Sequence, residues 1–205
     1  MNQIPRSDSA IPPRERPAIC VFCGSSFGGD PAYTATARRF GELMAGRGFD
    51  LVFGGGGVGL MGEVAGAAAK AGARVTGIIP DFLRHLEPPL TSSSEIVITQ
   101  SMNERKARMW AASDAFAVLP GGIGTLDEFA EALTGAQLKV HDKPIVLVNT
   151  KNYFGPLIAL LEHFVAQKFM KAGVMDLIIV VPDVESALDA IAARVKPVQA
   201  GAPSR

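Results

Sequence analysis

This 205-residue sequence predicts an α/β fold: one parallel sheet of about seven strands with helices on both faces. Three observations carry the expectation. Short, nearly continuous apolar runs recur along the whole chain and alternate with amphipathic or alanine-rich segments of helical length. Glycine-bearing turns follow the first, second and fifth of those runs. Nothing interrupts the alternation, so right-handed crossovers would bring the three glycine turns to one edge of the sheet, where a composite pocket is expected.

The first run is Ala18-Ile19-Cys20-Val21-Phe22-Cys23, expected as a central strand. It ends at Gly24-Ser25-Ser26 and turns through Gly28-Gly29-Asp30-Pro31 into a helix over about 32–47. Gly24 and Ser25 place N–H and hydroxyl donors at the carboxyl end of a strand, where open α/β sheets bind ligands; a plain strand-to-helix turn would look the same. Asp50-Leu51-Val52-Phe53 is the second strand, followed by Gly54-Gly55-Gly56-Gly57-Val58-Gly59 and an alanine-rich helix over about 60–71. Gly54, Gly56 and Gly59 fit G-x-G-x-x-G, but the acidic partner a dinucleotide site wants is represented only by Asp81, just past Pro80. The loop therefore suits a phosphate or nucleotide without naming one.

A third strand is expected over 73–79, then a polar connection to Ser94 containing Glu87, and a fourth strand at Glu95-Ile96-Val97-Ile98-Thr99. Ser101-x-x-Glu104 is a capping box that opens the next helix. On that helix Arg105, Lys106 and Arg108 form a basic group. It is either a solvated face, or Arg105 and Lys106 turn inward to meet an anion.

Ala115-Phe116-Ala117-Val118-Leu119 is the fifth strand, and the most informative stretch follows it: Pro120-Gly121-Gly122-Ile123-Gly124-Thr125-Leu126-Asp127-Glu128. Bare glycines at 121, 122 and 124, just before a helix reaching about Val140, let main-chain N–H groups approach a phosphate. Thr125 sits where an N-cap is expected. Two readings of Glu128 stand together: the far end of a Thr125-x-x-Glu128 capping box, or a carboxylate held beside a phosphorylated ligand. The second is costly unless positive charge develops nearby. Lys143-Pro144-Ile145-Val146-Leu147-Val148-Asn149, a helix over 153–168, a strand over 176–181 and a helix over 185–195 complete the alternation. One domain is expected over 18–195, between a disordered arm at 1–17, rich in Pro, Arg and Ser, and a loose tail at 196–205.

Composition narrows the function. Hydrophobic residues make up 48%, and Lys plus Arg equals Asp plus Glu at 20 each, which argues against a broad nucleic-acid surface. No apolar run approaches the ~18 residues of a membrane span. Cys20 and Cys23 are spaced C-x-x-C inside a strand pattern, without a second pair to complete a zinc set, and read as buried hydrophobes. His85, His141 and His163 lack metal-ligand spacing, so no metal and no cofactor are expected. The cytoplasm is the expected location.

Ser101-Met102-Asn103-Glu104-Arg105-Lys106, followed by Pro120-Gly121-Gly122-Ile123-Gly124-Thr125-Leu126-Asp127-Glu128, resembles the Lonely Guy (LOG) family, often labelled lysine decarboxylases. The likeness runs from about Ile19 to Val181 and takes in Cys23-Gly24-Ser25-Ser26, Val58-Gly59-Leu60-Met61-Gly62 and Gln137-Leu138. Ile123 stands where an aromatic is common and Asp127 where glutamate is common. The resemblance implies a Rossmann-like fold and hydrolysis of the N-glycosidic bond of adenosine-type 5′-monophosphates, giving free base and ribose 5-phosphate. It implies Arg105 and Glu128 as the catalytic pair. It also implies Glu87, Lys106, Gly122, Ile123, Gly124, Thr125, Leu126, Asp127 and Thr134 as substrate contacts, and a homodimer.

Three other functions compete: a non-catalytic nucleotide carrier or regulator, an NAD-dependent enzyme using the Gly54–Gly59 loop, and a pyridoxal-phosphate decarboxylase using Lys106.

Overall fold

A computed structural model describes residues 14–84 and 94–195. Its seven strands form one all-parallel sheet in the order β4-β3-β2-β1-β5-β6-β7. The strands are β1 (Ala18–Phe22), β2 (Asp50–Phe53), β3 (Val75–Pro80), β4 (Ser94–Thr99), β5 (Ala115–Val118), β6 (Ile145–Val148) and β7 (Ile178–Val181). The helices are α1 (Pro31–Gly46), α2 (Gly59–Lys70), α3 (Met102–Ala111), α4 (Ile123–Gln137), α5 (Gly155–Ala166) and α6 (Val184–Ala192).

Strands with both faces covered need apolar side chains of both parities, and β1 is buried at all five positions. Ile19 and Val21 face a core built with Phe40 and Met44 of α1, Leu60 and Val64 of α2, and Leu188 and Ile191 of α6. Ala18, Cys20 and Phe22 face the opposite core, with Met109 of α3, Phe129 and Leu133 of α4 and Leu161 of α5. The expected class, helices on both faces of a seven-stranded parallel sheet, is the one observed. Cys20 and Cys23 are free, buried and divided between the two cores.

Helix starts follow local chemistry. Asp30 caps α1 by accepting from the Ala32 N–H at 2.8 Å, with Pro31 at the first helical position. Ser101 caps α3 by accepting from the Glu104 N–H at 3.1 Å, while the Glu104 carboxylate accepts from the Gln100 N–H at 2.7 Å. The segments Thr150–Asn152 and Ala172–Leu177 are 3₁₀ turns, and the second takes in Asp176 and Leu177, where the seventh strand was expected to begin.

Of the arm expected over 1–17, residues 14–17 are described, and they are tied to the domain. Arg14 donates to the Ala112 carbonyl at 2.6 Å and to Asp114 at 2.9 Å, and the Pro17 carbonyl accepts from the Asp50 N–H at 2.9 Å. Residues 1–13, the tail at 196–205, and His85 and Glu87 lie outside the described residues. No helix among the described residues is long and apolar enough to cross a membrane.

Strand order reverses at β1, whose neighbours are β2 on one side and β5 on the other. Chain leaving β1 heads one way and chain leaving β5 the other, so a crevice opens outside their carboxyl ends.

Candidate active site

At that crevice the three glycine turns meet. The Gly24 N–H donates to the Pro120 carbonyl at 3.0 Å, joining the β1 and β5 turns. The Met61 N–H donates to the Gly24 carbonyl at 3.2 Å, bringing in the start of α2. Side chains are excluded where the turns touch. A Cβ on Gly121 would lie 2.1 Å from the Thr125 hydroxyl, and one on Gly59 would lie 2.3 Å from the backbone of Ser25 and Ser26. Ser25 is left exposed at the rim, and the Tyr153 hydroxyl donates to the Gly121 carbonyl at 2.5 Å.

Helix α4 begins earlier than expected. Its N-cap is Gly122, which offers no side-chain cap, and Thr125 and Glu128 are the third and sixth residues of the helix. The expected capping box at Thr125-x-x-Glu128 is therefore not formed, because Thr125 is already helical when the box would need it outside. The consequence is a helix start without a side-chain cap from its N-cap residue, beside exposed Gly122, Ile123 and Gly124. The Thr125 side chain is buried against Gly121.

Glu128 turns inward and meets Arg105 of α3. Arg105 Nη2 lies 3.5 Å from Glu128 Oε1, and the two residues are only 7% and 8% exposed. Main-chain carbonyls of two neighbouring strands, one within β3 and one just past β2, hold the guanidinium. Nε donates to Ile78 at 3.1 Å and Nη2 to Gly54 at 3.4 Å. A planar five-donor fork suits a cation that must face two carbonyls and a carboxylate together. The Glu128 charge is felt below: burial first and Glu128 second push the Cys20 and Cys23 thiols up, so neither supplies a thiolate.

Lys106 points elsewhere. Its Nζ bonds Asp127 at 3.1 Å and also pairs with Glu131, so it clamps α3 to the outer side of α4. The Glu131 carboxylate first, and Asp127 with it, hold the ammonium above its ordinary range against burial's pull. Neither sequence alternative for the basic group holds whole. Arg105 turns inward, Lys106 pairs along α4, and Arg108 bonds Glu104 one turn back at 2.8 Å. A lysine held by two carboxylates stays protonated, which disfavours Schiff-base chemistry there. Thr134 is exposed on α4, six residues and about 9 Å of helix rise beyond Glu128. Leu126 is partly exposed beside the loop, and Ile123 is 82% exposed.

The structure thus gathers Gly24, Gly121, Thr125, Arg105 and Glu128, leaves Ser25, Gly122, Ile123 and Gly124 on the rim, and sets Thr134 apart. Sequence reasoning missed the carbonyl pair at Gly54 and Ile78 and the Tyr153 hydroxyl. Gly54 carried a signal, since it belongs to the second glycine run. The loop read as a dinucleotide fingerprint is filled by protein: Arg105 packs on Gly54, and Ser25 and Ser26 pack on Gly59. Among the described residues no three His, Cys, Asp or Glu side chains group as a metal would need.

A family profile described as "Possible lysine decarboxylase" matches residues 61–191. A probable cytokinin riboside 5′-monophosphate phosphoribohydrolase of Oryza sativa subsp. japonica (LOGL1) is 43% identical over 164 residues, covering 80% of this chain and 74% of the relative. The cytokinin riboside 5′-monophosphate phosphoribohydrolase LOG1 of Arabidopsis thaliana is 40% identical, covering 80% and 77%. Among solved structures, the molybdenum cofactor binding protein of Rippkaea orientalis superposes with a TM-score of 0.66 at 24% identity, covering 87% of this chain and 96% of that one. The Moco carrier protein of Chlamydomonas reinhardtii gives 0.65 at 23%, with the same coverage. At those identities the two share the fold. The sequence relatives say more: this chain belongs to the Lonely Guy family, whose matched members are named cytokinin riboside 5′-monophosphate phosphoribohydrolases.

Proposed function

We propose that this protein hydrolyses the N-glycosidic bond of adenosine-type 5′-monophosphates, including N6-substituted ones, releasing the base and ribose 5-phosphate. The observation that carries the mechanism is the buried Arg105–Glu128 pair at 3.5 Å beside an uncapped, glycine-rich helix N-terminus. Glycosidic cleavage passes through an oxocarbenium-like state, positive on the sugar and negative on the departing base. Glu128 stabilises the sugar cation and orients the attacking water, removing its proton as the C1′–O bond forms. Arg105 serves the other end, stabilising charge on the leaving purine; its guanidinium keeps its protons, and the departing base takes up a proton from solvent. First-turn amides of α4, with Ser25, hold the 5′-phosphate and so fix C1′ relative to Glu128, while Gly24, whose N–H is committed to Pro120, joins the turns rather than donating to the ligand as expected. Lys106 and Asp127 act through position, by locking α3 to α4. Glu87 and Thr134 keep the contact roles that the resemblance implies.

We further propose a homodimer. Ile123 is 82% exposed, Leu160 46% and Phe164 38%, and Ile123 and Leu160 line one apolar cavity of about 470 Å³ between α4 and α5 with Leu126, Tyr153 and Leu157. Free, buried cysteines suit the reducing cytoplasm, the proposed location. Incubation with AMP, isopentenyl-AMP, GMP and CMP tests the activity. The two adenine nucleotides should yield ribose 5-phosphate, and its absence throughout would favour a carrier.

A further inference from the structure

At the opposite edge of the sheet, below the amino ends of β6 and β7, lies a second cavity of about 890 Å³, which the proposed reaction does not use. Its lining includes four cations, Lys139, Lys143, Lys171 and Arg194, against two carboxylates, Asp142 and Asp176. Many basic side chains elsewhere on the molecule pair with carboxylates, as Arg38 does with Glu63 and Arg39 with Glu185. None of these four forms an ion pair among the described residues. Two of them rest on neutral carbonyls at helix C-termini. Lys143 Nζ donates to Trp110 of α3 at 2.5 Å, and Arg194 Nη1 donates to Ala190 of α6 at 3.0 Å. Those contacts ease the helix dipoles but leave the cavity with excess positive charge. Val140, Val174 and Leu177 add apolar wall, and the volume is that of a small-molecule site.

We propose that this cavity binds a small phosphorylated metabolite, and that its occupation is transmitted along α3 to Arg105. The route is short and rigid. Lys143 holds the last turn of α3 at the Trp110 carbonyl, and Arg14 holds the Ala112 carbonyl beside it. Arg105 stands on the same ten-residue helix, where it makes its bonds to Gly54, Ile78 and Glu128. An anion that draws Lys143 into the cavity releases the end of α3 and loosens the Arg105 fork, so bound anion lowers turnover. Burial holds the Lys143 ammonium below its ordinary range, and an entering anion would raise it again.

Trp110 is the only tryptophan of the chain, and its ring meets His141 of the cavity wall edge-on at 5.1 Å, so its fluorescence reports this site. Inorganic pyrophosphate is the probe, titrated into the full chain. A saturable change in Trp110 emission is expected, with affinity reduced about tenfold or more by combined Lys171→Ala and Arg194→Ala, two exposed positions. The same titration should survive Glu128→Gln. Absence of a saturable change, or one untouched by the double substitution, overturns the site. The turnover arm rests on the proposed hydrolase activity. There pyrophosphate should lower turnover at saturating nucleotide about fivefold or more in the wild type, and not in the double variant. Binding without that loss overturns the coupling. Because the binding arm needs no catalysis, failure of the hydrolase reading leaves it intact and is recognised separately.

Discussion

Arg105 occupies the space that a side chain at position 54 would need. A Cβ on Gly54 would lie 2.0 Å from Arg105 Nη2, and the Gly54 carbonyl accepts from that same nitrogen at 3.4 Å. The glycine thus serves as the seat of the guanidinium. Gly54→Ala should leave the fold intact, because the clash is with the flexible end of a side chain. It should displace the fork from Glu128 and lower turnover about a hundredfold. That loss in a variant that still folds, with a melting temperature lowered because the buried pair is disturbed, supports the assignment; unchanged turnover removes it.

Arg105 and Glu128 are buried together, so breaking the pair from one side leaves an unmatched charge. Arg105→Ala should destabilise the fold by about 3–5 kcal/mol and lower turnover about a hundredfold or more. Adding Glu128→Gln to it should recover much of the stability and none of the activity. Denaturant melts beside base release, followed chromatographically, separate the two effects. Stability and activity recovering together would contradict a chemical role for the pair.

Sequence and structure part company in an instructive place. The alternation of apolar runs was enough for the sheet and its helices, and Ser101 with Glu104 announced the start of α3, because both depend on residues near in sequence. Of the two readings open for Glu128, the capping box failed because T-x-x-E is a local pattern, while the start of α4 is decided by the packing of Gly121 against Gly24 and Thr125, residues from two different turns. Lys106 was ambiguous for the same reason. Which way it points depends on Asp127 and Glu131, which only the fold brings alongside α3. The carbonyl seat at Gly54 and Ile78 is invisible to any side-chain pattern.

Three helix-start carboxylates contribute to the acid response. Asp30 is held below its ordinary range by Lys151 and then the Ala32 N–H, Glu104 by the Gln100 N–H, and Asp183 by the Ser186 N–H. Each is more acidic folded than unfolded. Its contribution is complete above the ordinary carboxylate range near pH 4 and is lost as pH falls through the folded values. Thermal melts should therefore decline from neutral pH toward pH 3. Asp183→Asn, which keeps a cap acceptor without the titration, should flatten part of that decline. An identical pH profile in that variant would refute the assignment.

The proposed dimer places Leu160 and Phe164 at a subunit boundary. Leu160→Glu combined with Phe164→Glu should shift sedimentation from dimer to monomer at micromolar concentration without unfolding, since both side chains are already partly exposed in one copy. A wild-type protein that sediments as a monomer would refute the proposal.

Glu128→Gln tests the account most directly, because the amide keeps the shape of the carboxylate and removes only its charge and basicity. Single-turnover release of ribose 5-phosphate from an adenosine-type 5′-monophosphate should slow about a hundredfold or more, with nucleotide binding near wild type and a lowered melting temperature, since buried Arg105 loses its carboxylate. Release at the wild-type rate would contradict the assignment of the chemistry to that residue.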